Sequence, residues 1–276
     1  MGKEKQDPLK QTALITGASQ GIGYAIAKEL ASRGCDLYLI SLPGENLAQI
    51  ALDLSREYKI HTHFMEISLD SQDNCQKVFD DISVRSIPVN ILVNNAGIGS
   101  SGVFEQFPLS FYDRQMKLNM ETVVFLTHLL LPSLLQKPKA FILNVSSLGA
   151  FFNMPNKEVY IATKSFILSF SKSLQNRFRG SSLHISVLCP GPVNTNPRLH
   201  EANGKLSGLA RMTVMTPEDV AAKAVSSLFL YREIIIPGRL NHFLLGLNLL
   251  VPAFLRNYLI NKEMNKQSDL GHELLV

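Results

Sequence analysis

Tyr160-Ile161-Ala162-Thr163-Lys164 opens a helical pattern that runs to about Phe178. Residues one turn apart on a helix share a face, so the Lys164 ammonium is expected beside the Tyr160 phenol. A free tyrosine titrates near pH 10, and an adjacent cation favours the phenolate and lowers that value. A phenol tuned in this way can give or take a proton near neutrality. The bare Y-x-x-x-K pair also occurs on ordinary amphipathic helices, so its meaning depends on what stands around it. Ser146 and Ser147 follow the apolar run Phe141-Ile142-Leu143-Asn144-Val145. If that run is a strand, the two hydroxyls fall at its carboxyl end, where open α/β sheets bind ligands. As isolated residues they could equally cap a helix or make a turn. Asn94-Asn95-Ala96-Gly97 follows Asn90-Ile91-Leu92-Val93 in the same topological place. Its small residues and amides suit close approach to a cofactor, or a tight turn. Asn119 interrupts a long apolar helical pattern, and a polar amide there needs a partner or solvent.

A second feature is an anion site. Thr12-Ala13-Leu14-Ile15-Thr16 reads as a strand and runs into Gly17-Ala18-Ser19-Gln20-Gly21-Ile22-Gly23, with a helix behind it. Glycines let the backbone turn tightly, and the free N–H groups at a helix start favour a pyrophosphate. The spacing is G-x-x-x-G-x-G, which differs from the commonest dinucleotide fingerprint, and helix–sheet packing alone could also ask for it. The end of the next strand should choose the cofactor: a carboxylate there binds the ribose hydroxyls of NAD, a cation the 2′-phosphate of NADP. The chain reads Ile40-Ser41-Leu42-Pro43-Gly44 at that place. Ser41 could bond a hydroxyl or a phosphate. With no carboxylate to repel a phosphate, the reading leans to NADP(H) over NAD(H).

These residues need a scaffold that brings strand ends together, and the apolar pattern supplies one. Short β-rich runs at 12–16, 37–40, 63–67, 90–93, 141–145 and 185–188 alternate with helical patterns, including 22–33 and a stretch near 45–57. Ile234-Ile235-Ile236 could be a last short strand. Strands apolar on both faces and separated by helices indicate a parallel sheet covered on both sides. Right-handed crossovers then give an α/β, doubly wound, Rossmann-type fold. No linker or repeat divides the chain, so 1–276 reads as a single dinucleotide-binding and catalytic domain. It has an N-terminal arm over 1–9, a substrate lid over 196–215, and an apolar C-terminal extension over 239–276.

The bulk composition excludes several classes. The chain has 276 residues, 46% of them hydrophobic and 18% charged, which is ample for a core and unlike a disordered chain. A net charge of +4 with scattered basic residues does not mark a nucleic-acid binder. Cys35, Cys75 and Cys189 are odd in number and far apart, so neither a disulfide framework nor a zinc site is expected. No metal site is assigned, and the reading favours a reducing, cytoplasmic compartment. The charged start lacks the apolar core of a secretory signal.

Taken together these motifs resemble the short-chain dehydrogenase/reductase family, in the form with about 250 residues. The resemblance covers roughly residues 10–238. It is carried by the glycine turn, Asn94-Asn95-Ala96-Gly97, Asn119, Ser147 with Tyr160 and Lys164, and Pro190-Gly191-Pro192-Val193-Asn194-Thr195. It implies hydride transfer between a nicotinamide cofactor and a carbonyl or alcohol, with Tyr160 as acid or base. Lys164 would hold the nicotinamide ribose and lower the Tyr160 pKa. Ser147 would bond the substrate oxygen, and Asn119 would help hold a water in a proton relay. Gly17, Ser19, Gln20, Gly21, Ile22 and Ser41, with Asn95, Ala96 and Gly97, would line the cofactor. Pro190, Gly191, Val193 and Thr195 would approach its nicotinamide. Glu66-Ile67 stands where the family often has Asp for adenine contact.

The uncharged run 240–255 could be core, a pocket wall or dimer contact, or a peripheral membrane contact through 240–260. Burial is preferred, which points to a lipophilic substrate of steroid-, retinoid- or fatty-acyl-like kind. Apolar helix patterns at 119–136 and 157–178, read through the family, imply a homodimer or homotetramer. A competing reading is a nucleotide-binding regulator or scaffold with the same fold and no turnover.

Overall fold

The computed structural model describes residues 11–206, 208–250 and 274–275. The N-terminal arm, Ser207 of the expected lid, and most of the C-terminal extension past Leu250 lie outside the described residues.

The chain begins with β1 (Thr12–Thr16), α1 (Gly21–Ala31), β2 (Asp36–Ser41), α2 (Leu47–Tyr58), β3 (Thr62–Glu66), α3 (Gln72–Val84) and β4 (Ile91–Asn94). A two-residue β5 (Ile98–Gly99) follows, then α4 (Leu109–Met116), a π-helical turn over Lys117–Glu121 and α5 (Thr122–Leu135). The second half holds β6 (Ala140–Val145), α6 (Glu158–Arg177), β7 (Leu183–Leu188), α7 (Pro197–Gly204), α8 (Gly208–Met212), α9 (Pro217–Phe229), β8 (Ile234–Ile235), α10 (Arg239–Leu250) and β9 (Leu274–Leu275). Seven parallel strands form one sheet in the order β3-β2-β1-β4-β6-β7-β8. The winding reverses between β1 and β4, which pair through Ala13–Ile91, Leu14–Leu92 and Ile15–Val93. A crevice at the carboxyl ends of those strands is the ligand site that such topology creates.

Alternate strand residues feed opposite faces, as a two-residue period requires. Ala13, Ile15, Leu37 and Leu39 pack with α1, α2 and α9 residues such as Ile26, Leu54 and Val225. Leu14, Tyr38, Ile40 and Leu92 pack on the other side with Val78, Leu126 and Leu130 of α3 and α5. Because both faces are covered, β1, β4 and β6 are buried along their whole length. Each fully buried large aliphatic contributes about 1.5–3 kcal/mol of transfer free energy. α4, the π turn and α5 form a continuous stretch, Leu109–Leu135, long and apolar enough to cross a membrane. It instead packs against α3, α6 and the sheet as a core helix.

Three parts of the sequence reading change. The 196–215 segment, expected as a lid with no helix assigned to it, contains α7 and α8. Asn196 caps α7 by accepting the Leu199 N–H at 2.9 Å, and Pro197 starts it. The strand expected at 234–236 ends at Ile235. The pair β5–β9, antiparallel through Ile98–Leu275 and Gly99–Leu274, had no periodic signal to announce it.

Candidate active site

The glycine turn is held by polar side chains beneath it. Gly17 and Gly21 take the left-handed conformation, φ 66° and 56°. Gly23 has a different reason to lack a side chain: a Cβ there would stand 2.0 Å from the Gly17 carbonyl oxygen. The Asn95 amide donates to the carbonyls of Thr16 and Gly17 at 2.9 and 3.1 Å. Thr16 Oγ1 accepts the backbone N–H groups of Asn95 and Ala96, each at 3.0 Å. The Asn95 side chain therefore braces the turn from below. Both of its amide hydrogens are spent on the turn itself.

A cleft of about 680 Å³ opens over this turn. Of the expected cofactor residues, Gly17, Ser19, Gln20, Ser41, Ala96 and Gly97 line it. It is also lined by Ile67 and by Asn196 to Arg198 of the expected lid, and by Glu45, Ser68 to Asp70, Arg114 and Leu118, which sequence reasoning did not assign. Gly21 instead faces the loop after β7, where its missing Cβ would meet Thr195 Cβ at 2.9 Å. The glycine turn and the Pro190–Thr195 loop thus close on each other across the start of α1. Thr195 Oγ1 is buried there without a hydrogen-bond partner. A buried unpartnered hydroxyl at the edge of a glycine cradle fits a ligand carrying an amide, as a nicotinamide does. Ile22 lies buried in the core under the turn and Val193 buried on the loop, which bridges to Met215. Gly191 lies against Asn241 of α10: a Cβ there would stand 2.8 Å from its amide nitrogen.

The expected catalytic residues Asn119, Ser147, Tyr160 and Lys164 do not line this cleft; Gly97, which does, lies against Asn119 and Lys164. The space where a Gly97 Cβ would sit is 3.1 Å from Asn119 Oδ1 and 3.4 Å from Lys164 Nζ. Lys164 is 3% exposed, donates to the Val145 carbonyl at 3.0 Å, and stands 5.8 Å from the centre of the Tyr160 ring. Ser146, buried, donates to the Lys164 carbonyl at 2.7 Å and pins α6 to the end of β6. Ser147 accepts the Gly149 N–H at 3.0 Å. It also bonds the Tyr160 hydroxyl.

One expectation about this cluster changes. Burial is the larger influence on Tyr160 and raises its pKa, against a smaller lowering by the Ser147 bond. The expected lowering by Lys164 is therefore not found: Lys164 is itself so enclosed that burial brings it down to about 8. The Asn119 side chain is also fully engaged. Its Oδ1 accepts the Ile98 N–H at 2.8 Å, and its Nδ2 donates to Ile98 O and to Thr163 Oγ1, each at 3.0 Å. Thr163 in turn donates to the Tyr160 carbonyl at 2.7 Å. Asn119 thus ties the π turn to β5 and α6. Glu66, expected at the adenine, instead accepts the Leu47 N–H at 3.3 Å at the start of α2.

The arrangement supplies a protonated phenol and a serine hydroxyl at one point, with a buried amine behind them and an anion cradle alongside. That set can protonate an oxygen on which negative charge develops. Comparison with known proteins gives the same direction. Residues 11–204 match the family model described as short chain dehydrogenase. The chain is 28% identical over 271 residues to the very-long-chain 3-oxoacyl-CoA reductase-B of Danio rerio, covering 94% of this chain and 82% of that one. A short-chain dehydrogenase from Sphingobium yanoikuyae, solved with NADPH, superposes with a TM-score of 0.76 at 26% identity, covering 91% and 95% of the two chains. The bulky-bulky ketone specific alcohol dehydrogenase from Comamonas testosteroni gives 0.72 at 26%, covering 88% and 95%.

Proposed function

The chain belongs to the short-chain dehydrogenases, and from that premise we propose a reductase of lipophilic, fatty-acyl-like carbonyl compounds with Tyr160 as the proton donor. The observation that carries the chemistry is the convergence of Tyr160, Ser147 and Lys164, with the Lys164 amine beside Gly97 of the cofactor cleft. The nicotinamide cofactor supplies the hydride. Gly17, Gln20, Ala96 and Gly97 would cradle it, with Thr195 at its amide.

The protein's own work is to place and protonate. Ser147 is held by the Gly149 N–H, so its hydroxyl is aimed before substrate arrives. Burial keeps the Tyr160 phenol protonated at neutrality, the state needed to give a proton to a developing alkoxide. Lys164, behind it, is held to the end of β6 by its bond to the Val145 carbonyl, 5.8 Å from the centre of the Tyr160 ring. Asn119 acts as a positioning residue through Ile98 and Thr163.

Apolar residues around the hydroxyls support the substrate class. Leu148, Phe151 and Phe152 follow Ser147 and pack in one cluster with Ile167, Ile236 and Leu245. The relative from Danio rerio is named for 3-oxoacyl-CoA reduction. A panel of 3-oxoacyl-CoA thioesters of rising chain length tests this, with consumption of reduced cofactor as readout. kcat/KM should rise with chain length; a preference for short hydrophilic carbonyls would reject the assignment.

Four further readings complete the proposal. The stacked Phe166 and Phe170 on α6 support a homo-oligomer formed through that helix. α7 and α8 would act as the substrate lid. Three free, buried cysteines suit a reducing, cytoplasmic setting. Exposed Phe243 on α10 supports an apolar contact of the C-terminal extension, with a membrane surface or a second subunit.

A further inference from the structure

We propose that Glu45 sets the cofactor preference of this chain and sets it toward NAD(H), an inference that rests on the cleft being a nicotinamide dinucleotide site. The sequence offers no charge at the end of β2, and the lean to NADP(H) followed from that absence. The fold brings a carboxylate there from further along the chain. Gly44 and Asn46 both take left-handed backbone, φ 84° and 55°, so the loop between β2 and α2 doubles back. The residue between them, Glu45, is laid over the glycine turn, where its Oε2 accepts the Ser19 hydroxyl at 2.5 Å. Both residues line the cleft beside Gly17, Ser41 and Leu42.

The donor and acceptor inventory decides the preference. A ribose diol needs acceptors, whereas a 2′-phosphate needs donors or cations and carries about −1.5 to −2 charge, as phosphomonoesters do at neutrality. Of the serine hydroxyls lining this part of the cleft, Ser19, Ser41 and Ser68, the first two have their hydrogens already used. Ser19 donates to Glu45, and Ser41, 4% exposed, donates to the Leu42 carbonyl at 3.2 Å. The cations lining the cleft, Arg114 and Arg198, come from α4 and α7, and none comes from the glycine turn, the β2–α2 loop or the segment after β3. Glu45 and Asp70 are the ionised groups there. This end of the cleft presents carboxylate oxygens, which accept from a diol and repel a phosphate.

The test is calorimetric titration of the full chain with NADH and NADPH, and with ADP-ribose and its 2′-phosphate, which lack the nicotinamide and report the adenosine end alone. The wild-type protein should bind NADH and ADP-ribose at least tenfold more tightly than their phosphorylated counterparts. Glu45→Gln, similar in size and neutral, should reduce that ratio to within about threefold, and Glu45→Lys should invert it, since tenfold corresponds to only about 1.4 kcal/mol. Equal or tighter binding of NADPH by the wild type, or an unchanged ratio in Glu45→Gln, would overturn the proposal and leave the site reading standing. If none of the four compounds binds, the dinucleotide reading itself fails and takes this inference with it.

Discussion

Burial governs the titrating groups of the site, and that gives stability a particular pH dependence. Lys164 falls from 10.5 to about 8 because almost none of it reaches water. The folded state therefore prefers the neutral amine. Below pH 8 it must carry a buried charge, and the penalty fades as pH rises toward 10.5, where the unfolded amine also loses its proton. Relative to Lys164→Met, the wild-type protein should gain up to about 3 kcal/mol of stability between pH 8 and 10.5. Urea unfolding across that range measures it, and parallel curves would show that the amine is not held in its neutral preference. Asn119→Ala removes an amide with three buried bonds and takes the side-chain acceptor from the Ile98 N–H, while the Ile98 carbonyl keeps its bond from Gln115. About 3 kcal/mol of stability should go with it, at the upper end of the range for an orphaned buried group. kcat should fall while cofactor affinity changes little. Asn119 was legible as an amide that needed a partner, but its partners lie on β5 and α6, which only the fold brings near. Glu45 was not legible at all, because its position depends on two left-handed residues beside it.

At the scale of elements, the glycine turn is the part least tolerant of change. A Cβ at Gly23 would meet a backbone oxygen at 2.0 Å and the Asn95 amide at 2.4 Å, and neither is the free end of a flexible chain. Gly23→Ala should cost about 1–3 kcal/mol, as overpacking does. It should also open the turn enough to abolish dinucleotide binding, visible as loss of the cofactor-induced thermal shift. A variant that melts lower yet binds normally would show that the turn tolerates the strain. The sheet strands could be read directly because both faces are apolar and each run is bounded by a helix. Elements defined by few residues were read less well. α7 is polar and small, so it has no apolar stripe, although Asn196-Pro197 was a start signal in plain view. β5 and β9 have two residues each, too few for any period to show. The π turn that presents Asn119 leaves no signature beyond the amide itself.

Across the whole molecule, one topological fact organises the site: the winding reverses between β1 and β4, so the glycine turn and the Ala96-Gly97 segment face one crevice. The catalytic group arrives from β6 and α6 on the far side of that crevice. Cofactor binding therefore bridges both halves of the sheet and should stabilise the fold as a unit. At a hundredfold excess over Kd the gain is about 2.7 kcal/mol. For a chain of this size that corresponds to a rise in Tm of about 5–10 °C. A single sharpened transition is expected, and a split melt would contradict a shared crevice. The central claim concerns the Tyr160 phenol. Tyr160→Phe keeps the ring and removes only the hydroxyl, with its proton and its bond to Ser147. The decisive measurement is turnover of a 3-oxoacyl-CoA substrate by wild type and Tyr160→Phe, with cofactor affinity titrated in parallel. The expected result is a fall in kcat of about a hundredfold to ten-thousandfold, the usual contribution of a general acid, with cofactor Kd within about threefold. Undiminished kcat in a variant that binds cofactor normally would contradict the assignment of Tyr160 as proton donor.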